Sequence, residues 1–600
     1  MRLPWLFGLL SLAAAGCERN VPPAPARSLP LVASRAALDR ATIGDESRYV
    51  LRGKRHRLPV EIPAHAALAL AVGVSAPDPK PPKQPSWRSD LAYVDFSVRF
   101  TDERDHTQVL TERRIGEAPD ARVQWHEVAV DLVALAGRRG TLTLEARPSE
   151  PALPDGDIAW ATPRINTPGT AAATNVILIS IDTLRADHLG CYGYRAPTSP
   201  SVDRMAREGV LFRDVVASSP WTLPSHASMF TGLDPARHGL VQFNAYRPLP
   251  QQFDTVAELL WDRGYESAGV VGGGYVGSFW HFDQGFDRYR QNQGSGHETR
   301  DTLQWVVDDA TRWMESRRGR PFFLFLHTYQ VHMPYTPPPP YDTAFDPEYR
   351  GPYATRLTAR DLYLLQQEGR PIEPSILRHM EALYDGEIRA MDDGLGNLLA
   401  FLRSSGLARN TCVLFTSDHG EEFGEHGGYG HEHAKLYDEL IRVPLIVWCP
   451  ERFRGGRVID ELTSLADIAP TILELLGAAV PDQLDGKSLL PVLRGDATHG
   501  RAVAVSEVDG SIEKRAGRAK AVRTERYKLI ESSVDNSELL FDLRADPAER
   551  RDLRGANAEL AAQIRAAAGA EPRRPAVAAA PQRTPDAATG ERLRALGYAE

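Results

Sequence analysis

The run NVILISI, residues 175–181, is apolar on both faces rather than alternating. A strand of that kind must be covered on both sides, which a parallel sheet between helical layers provides. Four more runs share the pattern: SAGVVGG, PFFLFLH, TCVLFTS and RVPLIVW. Helical segments lie between them, among them TVAELLWDRG and AMDDGLGNLLAFLRSSG. A further helix, in SPSVDRMAREGVLF, has Pro200 at its start and Gly209 at its stop. Strands alternating with helices predict an α/β domain with a doubly covered, mostly parallel sheet.

Polar residues gather where these strands end. NVILISI runs into Asp182 and Thr183, TCVLFTS into Asp418 and His419, and PFFLFL into His327, with His332 shortly after. Ligands of open α/β sheets bind beyond the carboxyl ends of the strands. Carboxylates and imidazoles collected there suit a divalent metal. Thr222, in SSPWTLPSHASMFTG, precedes Pro224 at the start of a short helix. Alone it reads as a helix cap. Beside a metal its hydroxyl becomes a candidate nucleophile for phosphorus or sulfur.

The chain is 600 residues long, so two or more domains are expected. Before residue 168 the period changes to two. In AYVDFSVRF, Val94, Phe96, Val98 and Phe100 alternate with polar residues, and TLTLEA repeats the pattern. We expect an N-terminal β-sandwich over 51–168, a spacer or packing domain, with carbohydrate binding as the other possibility. Residues 18–50 are rich in Pro, Ala and Arg and read as a linker. The catalytic domain is expected over 174–495 and a small antiparallel C-terminal subdomain over 496–555. A helical or loose tail takes 556–600. The formal net charge of −9 argues against a nucleic-acid partner.

At the N-terminus, MRLPWLFGLLSLAAAGC combines Arg2, a short apolar run and small residues before Cys17. It reads as a signal segment over 1–17, and Ala14-Ala15-Gly16-Cys17 resembles a bacterial lipobox. The expected product is exported and tethered to a membrane through lipidated Cys17, in a bacterial cell envelope. Cys191, Cys412 and Cys449 remain. The last two sit in apolar strand-like runs and are expected to be free buried thiols.

With these residues in view, the chain resembles the sulfatase family of the alkaline phosphatase superfamily over about residues 174–550. ISIDTLRADHLGCYGY resembles the family's first metal motif, WTLPSHASMFTG its nucleophile motif and FTSDHGEEFGEHGG its second metal motif. LYDELIRVPLIVW, DIAPTILELLG, LDGKSLLPVL and AVRTERYKLI…LLFDLRADPAER follow in the family's order. The resemblance implies an alkaline-phosphatase-like three-layer sandwich. It implies metal ligation by Asp182, Asp418 and His419, with Thr222 at the nucleophile position and also touching the metal. His332, in VHMPY, matches a histidine that contacts the ester or protonates the leaving group. His433 or His431 stands where the family places a lysine, and His433 is favoured on spacing. His226 and His238 match positions beside the substrate.

Three departures bear on mechanism. Threonine at 222 cannot become the formylglycine that the family makes from Cys or Ser, so direct attack by Thr222 is the consistent chemistry. His226 replaces an arginine and Thr183 an acidic residue, which opens the single metal site to Mn²⁺ or Zn²⁺ as well as Ca²⁺. The glycines of GVVGGGY read as tight packing, since no lysine follows them. GEEFGEHGG reads as framing the site. The expected function is hydrolysis of a sulfate or phosphate (di)ester of a small molecule, glycan or lipid. The alternatives are a phospho-group transferase and a degenerate glycan-binding protein.

Overall fold

The structure is a computed structural model that describes residues 27–32, 37–74, 93–116, 124–149, 157–167, 174–243, 246–261, 263–292, 302–317, 320–367, 372–431, 434–496, 498–510, 517–570 and 581–596. The 1–17 segment with Cys17 lies outside these residues, and so does His433. Among the described residues, no helix is long and apolar enough to cross a membrane.

Asn175–Ile181 is central in the main sheet, between Phe322–Thr328 and Thr411–Ser417, and pairs in parallel with both. Beyond Phe322–Thr328 come Glu266–Val271 and Arg288–Gln291, again parallel. Beyond Thr411–Ser417 the strand Leu445–Trp448 runs antiparallel, followed by Val210–Phe212 and Arg457–Ile459. The central strand shows why both faces had to be apolar. Ile177, Ile179 and Ile181 join a core with Val202, Leu303, Leu395 and Leu398, from the helices Pro200–Glu208, Leu303–Glu315 and Pro374–Ser404. Val176 and Leu178 join the opposite core with Ala227, Leu260 and Ile472, from Thr222–Thr231, Val256–Trp261 and Ile468–Leu475. Each fully buried side chain of this size contributes roughly 1.5–3 kcal/mol. The architecture is the expected three-layer α/β sandwich.

The antiparallel placement of Leu445–Trp448 corrects the cysteine expectation. Val413 faces Trp448, so the next pair outward is Cys412 and Cys449, and these are joined in a disulfide. Cys191 is the free thiol among the described residues.

The N-terminal region is a β-sandwich, with Phe96, Phe100, Leu142, Leu144 and Trp160 in its core. One layer is Arg55–Glu61, Arg139–Pro148, Val94–Asp102 and Thr107–Ile115. The other layer is not separate. Glu46–Arg52, Ile158–Thr167, Ala67–Val74 and His126–Asp131 continue the main sheet, because Glu46–Arg52 pairs antiparallel with Arg288–Gln291. Part of the stretch expected as a linker is therefore ordered. Asp39–Ile43 and Glu46–Arg52 form a hairpin around Gly44, whose φ of +62° suits the turn. Buried ion pairs of Arg288 with Glu46 and Asp309 hold the joint.

Near the C-terminus, Ala504–Asp509, Arg518–Arg523, Tyr527–Ser532 and Ser537–Asp542 form the expected antiparallel sheet. The helix Ala558–Ala570 covers it through Ala561, Ile564 and Ala568. The last helix, Ala587–Ala595, packs on the main core, with Leu593 and Leu596 buried there.

Candidate active site

Register brings the site together. Ile181 is level with Thr328 on one side and with Ser417 on the other. Asp182, His327 and Asp418 thus arrive at one edge, beside His419. Two hydrogen bonds through Ser417 fix the loops: Leu184 N–H donates to Ser417 Oγ at 3.0 Å, and Ser417 Oγ–H donates to His419 O at 2.7 Å. Thr183 is buried in left-handed backbone, φ +57°, a conformation uncommon for a β-branched residue and typical of functional loops. Its carbonyl accepts from Tyr384 Oη at 2.7 Å.

Thr222 opens the helix Thr222–Thr231 and is fully buried. The capping position belongs to Trp221, and no side chain caps the helix. The Thr222 hydroxyl points elsewhere. Its Oγ1 lies 3.4 Å from Asp182 Oδ2 and 3.4 Å from His419 Nε2.

Asp182, Asp418 and His419 each present a ligand atom within 4.8 Å of the others. The Nε2 atom of His419 lies 3.4 Å from Asp418 Oδ2 and 3.7 Å from Asp182 Oδ1. Ligands held at about 2.1 Å in a tetrahedron, or at about 2.5 Å in an octahedron, stand roughly 3.4–3.5 Å apart. The donor set fits a divalent cation on other grounds too. His419 Nδ1–H donates to Gly420 O at 3.0 Å, which turns the basic Nε2 toward the carboxylates. Asp418 Oδ2 is buried without a hydrogen bond. Burial, and then Asp182 beside it, push the Asp418 carboxyl well above the usual carboxylate range. Two carboxylates this close and this buried call for a positive charge between them.

The other histidines divide into two groups. His332 and His431 border the triad: the His431 ring is 4.5 Å from that of His419 and 4.9 Å from that of His332. His332 Nδ1–H donates to Met333 O. His431 Nδ1 is held by Glu421 Oε1 at 2.8 Å, and Glu421 Oε2 accepts from Tyr335 Oη at 3.0 Å. Burial keeps His332 and His419 well below the ordinary imidazole range.

His226 and His238 are both fully buried, and His226 borders the triad, its Nδ1 3.5 Å from Asp418 Oδ2. His226 Nδ1–H donates to Thr222 O at 2.9 Å, and its Nε2 accepts from Ser180 Oγ at 3.1 Å. His238 Nδ1 accepts from Leu240 N–H at 3.2 Å, so its Nε2–H donates to Ser228 Oγ at 3.1 Å. Reading the sequence set His327 among the polar residues at the strand ends without giving it a role, and did not single out Glu421. His327 Nε2 lies 3.4 Å from Asp182 Oδ2. Its place at the end of PFFLFLH was the available signal. Glu421 lay within GEEFGEHGG, where nothing marks one glutamate among several.

Solved structures share this architecture. A phosphonate monoester hydrolase of Agrobacterium radiobacter matches with a TM-score of 0.54 and 25% identity, over 66% of this chain and 95% of that one. A multifunctional alkaline phosphatase superfamily protein, PehA, of Trinickia caryophylli is 28% identical over 64% of this chain and 91% of its own length. An N-acetylglucosamine-6-O-sulfatase of Bacteroides thetaiotaomicron is 26% identical over 64% and 82%. Fold and relatives together define a hydrolase acting on ester bonds, of the alkaline phosphatase superfamily. Within that class the sulfatase family matches residues 174–478, half of the chain, and the C-terminal domain of N-sulphoglucosamine sulphohydrolase matches residues 424–568. The chain belongs to the sulfatase family.

Proposed function

We propose that the chain cleaves a sulfate or phosphate ester, mono- or diester, with Thr222 as nucleophile. The observation that carries the reading is the position of Thr222 Oγ1, 3.4 Å from both Asp182 Oδ2 and His419 Nε2 at the start of a buried helix. Asp182, Asp418, His419 and Thr222 would hold one divalent cation, Ca²⁺, Mn²⁺ or Zn²⁺. When bound it supplies a lowered pKa to the threonine hydroxyl and polarises an ester oxygen. Thr222 Oγ1 would form a bond to sulfur or phosphorus and pass its proton to the neutral imidazole of His332 or His431 as the ester oxygen leaves with the bonding pair. That imidazolium then gives the same proton to the ester oxygen, and Glu421 holds Nδ1 of His431. Water then releases the group from Thr222 with the hydroxyl restored. The positive end of the helix dipole at Thr222 favours the anionic group during both steps.

The names of the relatives support both ester classes, sulfate and phosphonate, and one of them acts on a glycan sulfate. The Cys412–Cys449 disulfide supports an exported protein, because such bonds persist in oxidising compartments. With the lipobox at Cys17, that favours a protein tethered in the bacterial cell envelope.

The test is turnover by the chain from residue 18 onward, supplied with Mn²⁺, Zn²⁺ or Ca²⁺. The panel is aryl sulfate, phosphate monoester, phosphate diester and phosphonate monoester, with Thr222→Ala beside the wild type. Hydrolysis that falls by about 10³-fold or more in the mutant supports the reading. Hydrolysis unchanged in the mutant overturns the nucleophile, and turnover only with an added acceptor alcohol makes the protein a transferase.

A further inference from the structure

The glycines of GVVGGGY, which follow the strand Glu266–Val271, have a use beyond tight packing. Val270 is level with Leu326, so the run reaches the same sheet edge as His327. Gly274 has φ +57°, and a Cβ there would stand 2.6 Å from Tyr329 Oη. The next N–H, that of Tyr275, donates to the same oxygen at 2.9 Å. The turn is therefore bare so that the Tyr329 hydroxyl can sit against backbone. The helix Ala587–Ala595 packs on the same turn: Arg592 Nε–H donates to Gly272 O at 3.1 Å, and Leu596 Cδ1 would stand 2.9 Å from the Gly274 Cβ.

Held at its hydroxyl, the buried Tyr329 ring stands edge to face against two histidines, 4.7 Å from His327 at 81° and 5.6 Å from His332 at 88°. His332 is fastened to the same residue through the backbone, where its N–H donates to Tyr329 O at 3.0 Å. His332 Nδ1–H donates to Met333 O, which leaves the lone pair on Nε2. Main chain and tautomer are thus set locally, and the Tyr329 ring limits how far the imidazole plane can turn. The same ring backs His327, whose Nε2 lies 3.4 Å from Asp182 Oδ2.

We propose that Tyr329 is a positioning residue for ester cleavage: anchored at its hydroxyl by the glycine turn, its ring fixes the direction of the His332 imidazole. The proposal rests on the ester-hydrolase reading above, with His332 as the group that carries the proton from Thr222 to the leaving oxygen. Misplacing such a group costs rate rather than affinity. The test is steady-state turnover of the preferred ester by the metal-loaded chain, comparing wild type, Tyr329→Phe, Tyr329→Met, His332→Ala and the double variant His332→Ala with Tyr329→Met. Tyr329→Met keeps bulk without a rigid ring and should lower kcat by about 10–100-fold, with KM within about twofold of wild type. Tyr329→Phe keeps the ring and should recover most of the rate. With His332 already replaced, Tyr329→Met should cost no further rate. Equal kcat in wild type and Tyr329→Met overturns the proposal, as does a loss of the same size in the His332→Ala background, which would make Tyr329 structural. If Tyr329→Met does not fold, Gly274→Ala applies the same test through the turn, because its Cβ displaces the Tyr329 hydroxyl. It should lower kcat when His332 is present and not when it is absent, and a loss in both backgrounds overturns the proposal. A wild type that hydrolyses no ester defeats the hydrolase reading and the proposal with it. A wild type that hydrolyses an ester while its variants at 329 and 274 keep full rate defeats the proposal alone.

Discussion

Thr222 Oγ1 lies 3.4 Å from Nε2 of His419, although 197 positions separate the two residues in the chain. One enters on a helix behind the sheet and the other on the loop after a central strand. Their meeting puts a hydroxyl that reads as a helix cap beside Asp182, Asp418 and His419, which could hold a metal ion.

The aspartate pair makes a prediction about sign. Without a cation, Asp182 and Asp418 repel each other in a buried site. Asp418→Asn should therefore raise the melting temperature of EDTA-treated protein by about 2–4 °C. It should also abolish the rise that Mn²⁺ or Zn²⁺ gives the wild type. Thermal unfolding with and without metal checks both. A lower melting temperature in EDTA contradicts the account of the pair.

His238 predicts a loss of stability in acid. Burial lowers its pKa to about 3, and both nitrogens are committed to Leu240 and Ser228. The unfolded residue takes up a proton near pH 6.5, the folded one only near pH 3. Its contribution is complete above about pH 6.5 and declines as pH falls toward 3, by about 2 kcal/mol at pH 5. Melting curves from pH 7 to 5 should fall more steeply for wild type than for His238→Gln. Parallel curves contradict the assignment.

The disulfide closes a loop across two buried strands, with a sequence separation of 37. Replacing both cysteines with alanine should cost about 3–4 kcal/mol on loop entropy alone. Urea unfolding under oxidising conditions measures it, and addition of dithiothreitol should bring wild type toward the double mutant. No response to the reductant contradicts the bond.

The continuous sheet predicts that the sandwich cannot be removed cleanly. A chain beginning at residue 174 would leave Arg288–Gln291 without its partner and expose an open strand edge. It would also leave Arg288 without Glu46. Such a chain should aggregate during purification. A monomeric, active truncation would show the sandwich to be independent.

Much of the site was legible in the sequence, because parallel strands deliver their following residues to one edge. That rule alone brings Asp182, Asp418 and His419 together. Pro200 and Gly209 likewise bound their helix as expected, Pro200–Glu208 with Gly209 following. What the sequence hid depends on pairing between distant segments. Cys412 and Cys449 looked like two buried thiols because nothing local says that their strands are antiparallel neighbours. The hairpin at Asp39–Ile43 was masked by the composition around it. The helix Pro374–Ser404 begins well before AMDDGLGNLLAF, and Met380, Leu383, Tyr384 and Ile388 of its first half are buried. Arg592 lies in an Ala-rich tail, and only the Gly272–Gly274 seat shows where that tail returns.

The most direct test of the central claim is the mass of the peptide carrying Thr222 after the metal-loaded enzyme is mixed with its preferred ester and quenched in acid within the first turnover. The account predicts a sulfuryl or phosphoryl increment on Thr222, absent from Thr222→Ala and absent without substrate. Rapid turnover with Thr222 unmodified at every quench time, and equal turnover by Thr222→Ala, would contradict it.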